Sequence, residues 1–242
     1  MRRRPVPALG WLVAGGLIVG TVIGVGAGLL LDDRSSSDAD DPPPSFVLDP
    51  DAIEPVESAA AAEDFVEAWE RSRRGTFVVV STFTRTTTDG RELEARSVVV
   101  QRPPDRLAAQ GGSVTGRIGG ERIVCDPTPD DQVRCQRTPA VGDAESEVVA
   151  EVEQLRGYVS GPAPLYRVAA DGPCFRLRLA RALAAPPYGT RAHFCFDPAT
   201  GAPSRTEVER REGTDVVVAD EIRPSVTDAD LADVLADVDP AG

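Results

Sequence analysis

The chain contains no lysine: all 26 of its basic residues are arginine. That excludes Schiff-base and other lysine-dependent chemistry. Histidine is nearly absent too. His193 is the single copy, and so the only candidate general base of its type. It falls in mid-strand beside arginines, with no local carboxylate or nucleophile to complete a triad, and reads as a solvated surface histidine. Aromatic residues make up only 5% of the chain, too few to stack bases or sugars in series. Met1 is the only methionine. No phosphate-cradling glycine loop occurs, because Gly111-Gly112 and Gly119-Gly120 read as hairpin turns. The four cysteines include no C-x-x-C pair, and one histidine cannot complete a zinc set, so no metal site and no cofactor are expected. Acidic residues number 39 and give a net charge of -13, which argues against nucleic acid or an anionic surface as partner. The carboxylates cluster in charge runs that read as solvated. The chain is expected not to be an enzyme.

What the chain does have is a 23-residue run without a charged side chain, residues 9–31. As a helix it is about 34 Å long, enough to cross a hydrocarbon core of about 30 Å. Arg2, Arg3 and Arg4 precede it, and Asp32 and Asp33 follow it. The basic side marks the cytoplasmic end, so residues 1–8 are expected in the cytoplasm and the rest outside a cell membrane crossed once. A cleavable secretory signal has an apolar stretch of only about 7–15 residues, which favours an anchor. Small residues at 26–28 keep a cleaved signal as the alternative. Gly16, Gly20, Gly24 and Gly28 recur every fourth residue and would form a stripe for self-association or a partner helix. The other reading is the plain abundance of glycine in membrane helices.

Residues 32–57 are polar, acidic and proline-rich, and read as a spacer. Residues 58–242 then suit one domain. Ser58 should cap a helix over 59–74 that Gly75 closes, with Phe65, Val66 and Trp69 on its apolar face. A hairpin over 76–84 and 92–102 follows, turned by Asp89-Gly90. Short strands are expected at 106–109, 113–118, 121–125 and 133–137. Asp143 caps a second helix over 144–156, stopped by Gly157, with Val148, Val149, Val152 and Leu155 on one side. Residues 161–164 read as loop. Strands resume at 174–180, 191–196, 204–211 and 215–222, and an acidic helix from Asp228 would turn Leu231 and Leu235 inward. This order is α+β with one dominant antiparallel sheet.

Four cysteines allow three pairings, and strand alternation selects among them. Phe175, Leu177 and Leu179 share one face, as do Ala192, Phe194 and Phe196. If Cys174 lies opposite Cys195, then Arg176 faces His193, Arg178 faces Arg191, and every apolar residue falls on one side. A slip by one residue would scramble this. Cys174–Cys195 is therefore expected, with Cys125–Cys135 clamping the hairpin across residues 127–131.

Three short motifs carry a resemblance. Arg102-Pro103-Pro104-Asp105-Arg106-Leu107 resembles a strand start of the LolA/LppX-like lipoprotein-carrier superfamily, and Gly119-Gly120-Glu121-Arg122-Ile123 its following hairpin. Asp197-Pro198-Ala199-Thr200-Gly201-Ala202-Pro203 resembles its D-x-x-T-G-x-P turn. The similarity covers about residues 76–223. It implies a curved, incomplete antiparallel barrel whose helices cover an apolar concavity holding a lipid or acyl chain. One relative of this fold senses envelope stress. By this resemblance the helix 144–156, with Val149 and Val152, looks like a lid. Phe175, Leu177, Leu179, Phe194 and Phe196 look like the ligand-facing wall. The alternative reading of these residues is a filled core. The expected function is non-catalytic binding of a lipid, an acyl chain or a lipidated partner. The competing expectation is an envelope interaction or sensor protein working through protein contacts and paired transmembrane helices.

Overall fold

A computed structural model describes residues 56–128 and 133–236. The run 9–31, its flanks and Gly16, Gly20, Gly24 and Gly28 lie outside the described residues. Among the described residues, no helix is long and apolar enough to cross a membrane.

Helix α1 spans Ala59–Arg74. Ser58 caps it, its hydroxyl accepting from Ala61 N at 3.0 Å. Phe65, Val66 and Trp69 are buried on one side, and Arg71, Arg73 and Arg74 in the last turn suit the negative end of the helix dipole. Strands β1 (Phe77–Thr87), β2 (Glu92–Arg102), β3 (Asp105–Gln110), β4 (Ser113–Ile118), β5 (Glu121–Pro127) and β6 (Val133–Pro139) then form a meander. Helix α2 (Ala144–Val159) interrupts it. Strands β7 (Tyr166–Asp171), β8 (Cys174–Leu179), β9 (Arg191–Phe196), β10 (Pro203–Arg210) and β11 (Gly213–Arg223) form a second meander, and α3 (Asp228–Ala236) ends the described chain.

The two meanders join into one antiparallel sheet of order β6-β5-β4-β3-β2-β1-β11-β10-β9-β8-β7. The seam is β1 against β11, with Val78 opposite Arg223 and Thr87 opposite Gly213. The sheet is open, with β6 and β7 as its edges. Part of β7 is blunted by Glu57, which bridges to Ala169 and pairs with Arg178 at 2.7 Å. Glu57, expected in the spacer, is thus tied to the fold.

Both disulfides are formed as the alternation requires. Cys174 lies opposite Cys195, Arg176 opposite His193 and Arg178 opposite Arg191. Cys125 lies opposite Cys135 and is bonded to it. One face of the β7–β10 half is covered by α1 and α2, where Phe65, Trp69, Val152, Leu155, Phe175, Leu177 and Phe194 form the largest core. The opposite face of the β2–β5 half packs Val100, Leu107, Val114 and Ile123 against Leu231 and Val234 of α3. The helices therefore lie on both faces rather than together over one concavity.

Three expectations are corrected. Helix α2 runs through Gly157 to Val159, because Tyr158 and Val159 continue its apolar side and Ser160 N closes it on Arg156 O. The segment after the 161–164 loop is a strand, β7, which pairs with β8 although Ala169 and Ala170 give it little strand signal. In α3 the second buried residue is Val234, and Leu235 is only partly buried.

Candidate functional site

The odd-numbered residues of β1 point to the face that α1 partly covers, and Phe77, Val79, Ser81 and Phe83 there form the floor of a cleft. Register puts Gln101 and Val99 beside Phe77 and Val79, and Val217 beside Phe83. Trp69, Tyr188, Phe194 and Phe196 make one wall. Lining residues come from seven adjacent strands, β4 through β1 to β9. A flat sheet would spread these over about 29 Å at ~4.8 Å per strand. The cleft therefore runs across the strands and over the seam between β1 and β11. The cleft is mainly apolar and holds about 240 Å3.

A second, wider space of about 660 Å3 lies between α2 and strands β3–β5. Its lining is charged: Arg73, Arg74, Arg106, Arg117 and Arg122 face Asp105, Glu145, Glu147 and Glu151. Arg73, Gln101 and Arg106 line both spaces and so mark the boundary, or throat, between the mainly apolar cleft and the charge-lined vestibule.

The throat is built from the end of α1. Buried Gln101 on β2 donates from Nε2 to Ser72 O at 2.6 Å and to Gly75 O at 2.9 Å. Both carbonyls lie at the C-terminal end of α1, where intrahelical partners run out, and Ser72 O also accepts from Gly75 N at 3.4 Å. The same side chain accepts from Arg106 Nε at 3.1 Å. Glu151 on α2 accepts from Trp69 Nε1 at 2.8 Å and Arg73 Nε at 2.9 Å, tying the two helices together. Burial pulls the Arg106 guanidinium down to about 9, with Arg73 adding repulsion and Glu151 opposing it. It is still a cation at neutral pH.

At the other end of the cleft, Arg85 makes a bidentate pair with Asp215, at 2.5 and 2.7 Å, and Arg210 reaches the same carboxylate at 3.5 Å. Tyr188 is held by its backbone: its N donates to Tyr166 Oη at 2.9 Å, and Tyr166 Oη donates to Gly189 O at 3.0 Å. Gly189 has φ +64°, and a Cβ there would sit 2.0 Å from Glu209 O, so the turn that presents Tyr188 requires glycine. Burial first, then Glu151, pushes the Tyr188 phenol up. Its Oη is buried without a hydrogen-bond partner among the described residues.

The expected ligand-facing residues divide. Phe194 and Phe196 line the cleft. Phe175 and Leu177 are buried beneath α1 in the filled core, Leu179 packs at its margin, and Val152 enters it from α2. Val149 is corrected: it is 47% exposed, because Val148 and Val152 take the inward side of α2. Helix α2 is corrected as well, since the space beneath it is the charged vestibule and not the apolar cleft. The residues missed include Phe77, Val79, Phe83, Val99, Gln101, Arg106, Tyr188 and Val217. The alternation Phe77-x-Val79-x-Ser81-x-Phe83 was a readable signal for one face, whereas Arg106 carried none.

His193 sits on the face opposite the cleft, its Nε2 3.6 Å from Cys195 Sγ, with burial first and Arg176 second lowering its pKa. Cys174, His193 and Cys195 are close enough to hold a metal, but both sulfurs are spent in the disulfide. The Asp197–Pro203 motif is a turn between β9 and β10. Asp197 Oδ1 accepts from Thr200 N at 2.8 Å and from Thr200 Oγ1 at 2.7 Å, and these bonds hold the carboxyl below the usual range.

No family model matches the chain, and no curated protein matches it. Among solved structures it is similar to a LolA superfamily protein from Nitrosomonas europaea, at 10% identity and TM-score 0.35, covering 71% of this chain and 96% of that one. It is similar to MucB at 13% identity and TM-score 0.38, covering 72% of this chain and 62% of that one. It is also similar to the lipoprotein LppX from Mycobacterium tuberculosis at 11% identity and TM-score 0.36, covering 70% and 99%.

Proposed function

We propose that this chain is a membrane-anchored, non-catalytic binding protein that holds one apolar chain in the cleft beside α1. The observation that carries this reading is the cleft itself, a mainly apolar space of about 240 Å3 on the face that α1 partly covers, next to a packed aromatic core. At roughly 30 Å3 per water-sized atom, it takes about eight such atoms. That suits a short acyl segment, or part of a longer one borne by a lipid or a lipidated partner. The run 9–31 would anchor the domain, with the N-terminus in the cytoplasm and residues 58–242 outside. On an anchor, the domain passes its occupant only within reach of its spacer.

The test is calorimetric titration of the full chain in phosphatidylcholine nanodiscs with octanol, against empty nanodiscs. Saturable one-to-one binding is expected. Ala108→Phe fills the cleft from β3 without changing charge and should abolish it. Absence of saturable binding, or an unaltered affinity in Ala108→Phe, refutes the reading.

A further inference from the structure

Five arginines line the cleft, and four of them contact a carboxylate. Arg73 meets Glu151 at 2.9 Å, Arg85 and Arg210 share Asp215, and Arg205 meets Glu207 at 2.8 Å. Arg106 meets none among the described residues. Its single hydrogen bond there, from Nε to Gln101 Oε1, leaves both terminal nitrogens of the fork unbonded, and neither is sealed inside protein. Glu151 makes no ion pair with it. One Glu151 oxygen is taken by Trp69 and the other by Arg73. Two cations thus share one anion at the passage between the apolar cleft and the vestibule. Beyond the throat, Arg117 is engaged by Glu147 at 3.1 Å and Arg74 by Glu145, and Arg122 and Asp105 add one charge of each sign to the lining.

A cation drawn partly out of water, as half-buried Arg106 is, with no counter-ion beside it is costly to hold. A planar guanidinium fork with free terminal donors matches a carboxylate in a bidentate arrangement. The imbalance is one charge, which fits a monoanion better than a phosphate monoester carrying about 1.5 to 2 charges. The chain's net charge of -13 opposes any anion at long range. At physiological salt, however, charges beyond about 8 Å are largely screened, and the throat's own balance governs.

Building on the cleft reading, we infer that the occupant is a single-chain amphiphile with a carboxylate head, the head on Arg106 and the tail over Phe77, Val79, Val99 and Val217. Head and tail need each other. The throat alone offers an anion one fork beside a wet vestibule, and the cleft alone cannot tell an acid from an alcohol.

The experiment titrates the full chain in phosphatidylcholine nanodiscs with octanoate, octanol and acetate, using empty nanodiscs as reference. Octanoate should bind at least tenfold more tightly than octanol, and acetate should give no saturable heat. Arg106→Gln should weaken octanoate at least tenfold more than it weakens octanol, while Arg106→Lys should keep part of the octanoate affinity. If octanol binds as well as octanoate, or Arg106→Gln lowers both alike, the carboxylate head is refuted and the apolar cleft stands. Acetate binding as tightly as octanoate also refutes it. If neither octanoate nor octanol saturates, both readings fall together. Should Arg106→Gln not fold, the octanoate-to-octanol ratio of the unaltered chain decides alone.

Discussion

Phe65 is where the architecture can be tested hardest. It is fully buried in α1, and four aromatic rings surround it. Phe175 lies 5.4 Å away between centroids, Phe194 5.5 Å, Trp69 5.9 Å and Phe196 6.4 Å. Phe65→Ala removes the ring that seals α1 onto strands β8 and β9. Buried Phe→Ala changes cost about 3–5 kcal/mol, and rings as stiff as these four cannot readily collapse into the space, so about 4 kcal/mol is expected. For a domain of this size the midpoint should fall roughly 2–4 °C per kcal/mol, or about 8–16 °C in total. Urea unfolding of the full chain in nanodiscs, followed by near-ultraviolet circular dichroism, measures it. Phe65→Leu should cost far less, about 1–1.5 kcal/mol. Phe194, Phe196 and Trp69 are also cleft wall, so octanol affinity should fall in Phe65→Ala. A loss below about 1.5 kcal/mol, equal to that of Phe65→Leu, would refute a packed aromatic seal.

Tyr188→Phe removes a buried hydroxyl that has no partner among the described residues, so stability should stay level or rise by up to about 1 kcal/mol. A urea midpoint showing a loss above about 1 kcal/mol would mean that the hydroxyl is satisfied. Asp230 is held down to about 2, first by Arg223 and then by Thr227, whose backbone N donates to it at 2.7 Å. A depressed carboxyl stabilises the fold above the ordinary range near 4, and that contribution is lost as pH falls through 2. Asp230→Asn should therefore cost roughly 1 kcal/mol at neutral pH, and its difference from the unaltered chain should shrink between about pH 4 and 2. A difference constant with pH would refute this.

Elements with one strong local signal were legible in the sequence. Ser58 and Gly75 bracket α1, and the alternation around Cys174 and Cys195 fixes the register of β8 against β9 to the residue. Strand β7 was not legible, because Ala169 and Ala170 offer little strand preference and its pairing with β8 supplies what propensity does not. The far end of α2 was not legible either: a stop at Gly157 is a local expectation, and tertiary packing of Val159 overrides it. For the site, the apolar faces could be read but not which face stays open. Phe175 and Phe194 are neighbours of the same type on the same side and both pack on Phe65 of α1, yet only Phe194 also reaches the cleft. That distinction depends on where a helix lands across the sheet, which no spacing encodes. Arg106 shows the same limit, since its lack of a carboxylate among the described residues depends on which partners Glu151 engages.

The position of the cleft has a consequence for how binding and folding are linked. Its floor lies on the seam where β1 meets β11, and Phe83 opposite Val217 and Arg85 opposite Asp215 are contacts between residues 134 and 130 positions apart. Such contacts carry a large loop-closure cost and give up little local structure when they open. The seam is also irregular, with a register shift between Val80 and Ser81 directly below the cleft. An occupant that touches Val79, Phe83 and Val217 together bridges both meanders and exists as a site only while they are joined. It therefore stabilises the seam by mass action, more so as its concentration exceeds its Kd. Amide exchange in β1 and β11 should slow on addition of octanol, while β5 and β6, away from the floor, keep their rates. Uniform protection across the sheet would mean that the two meanders never separate before global unfolding, and that the cleft is a rigid mould and not a joint that its ligand closes.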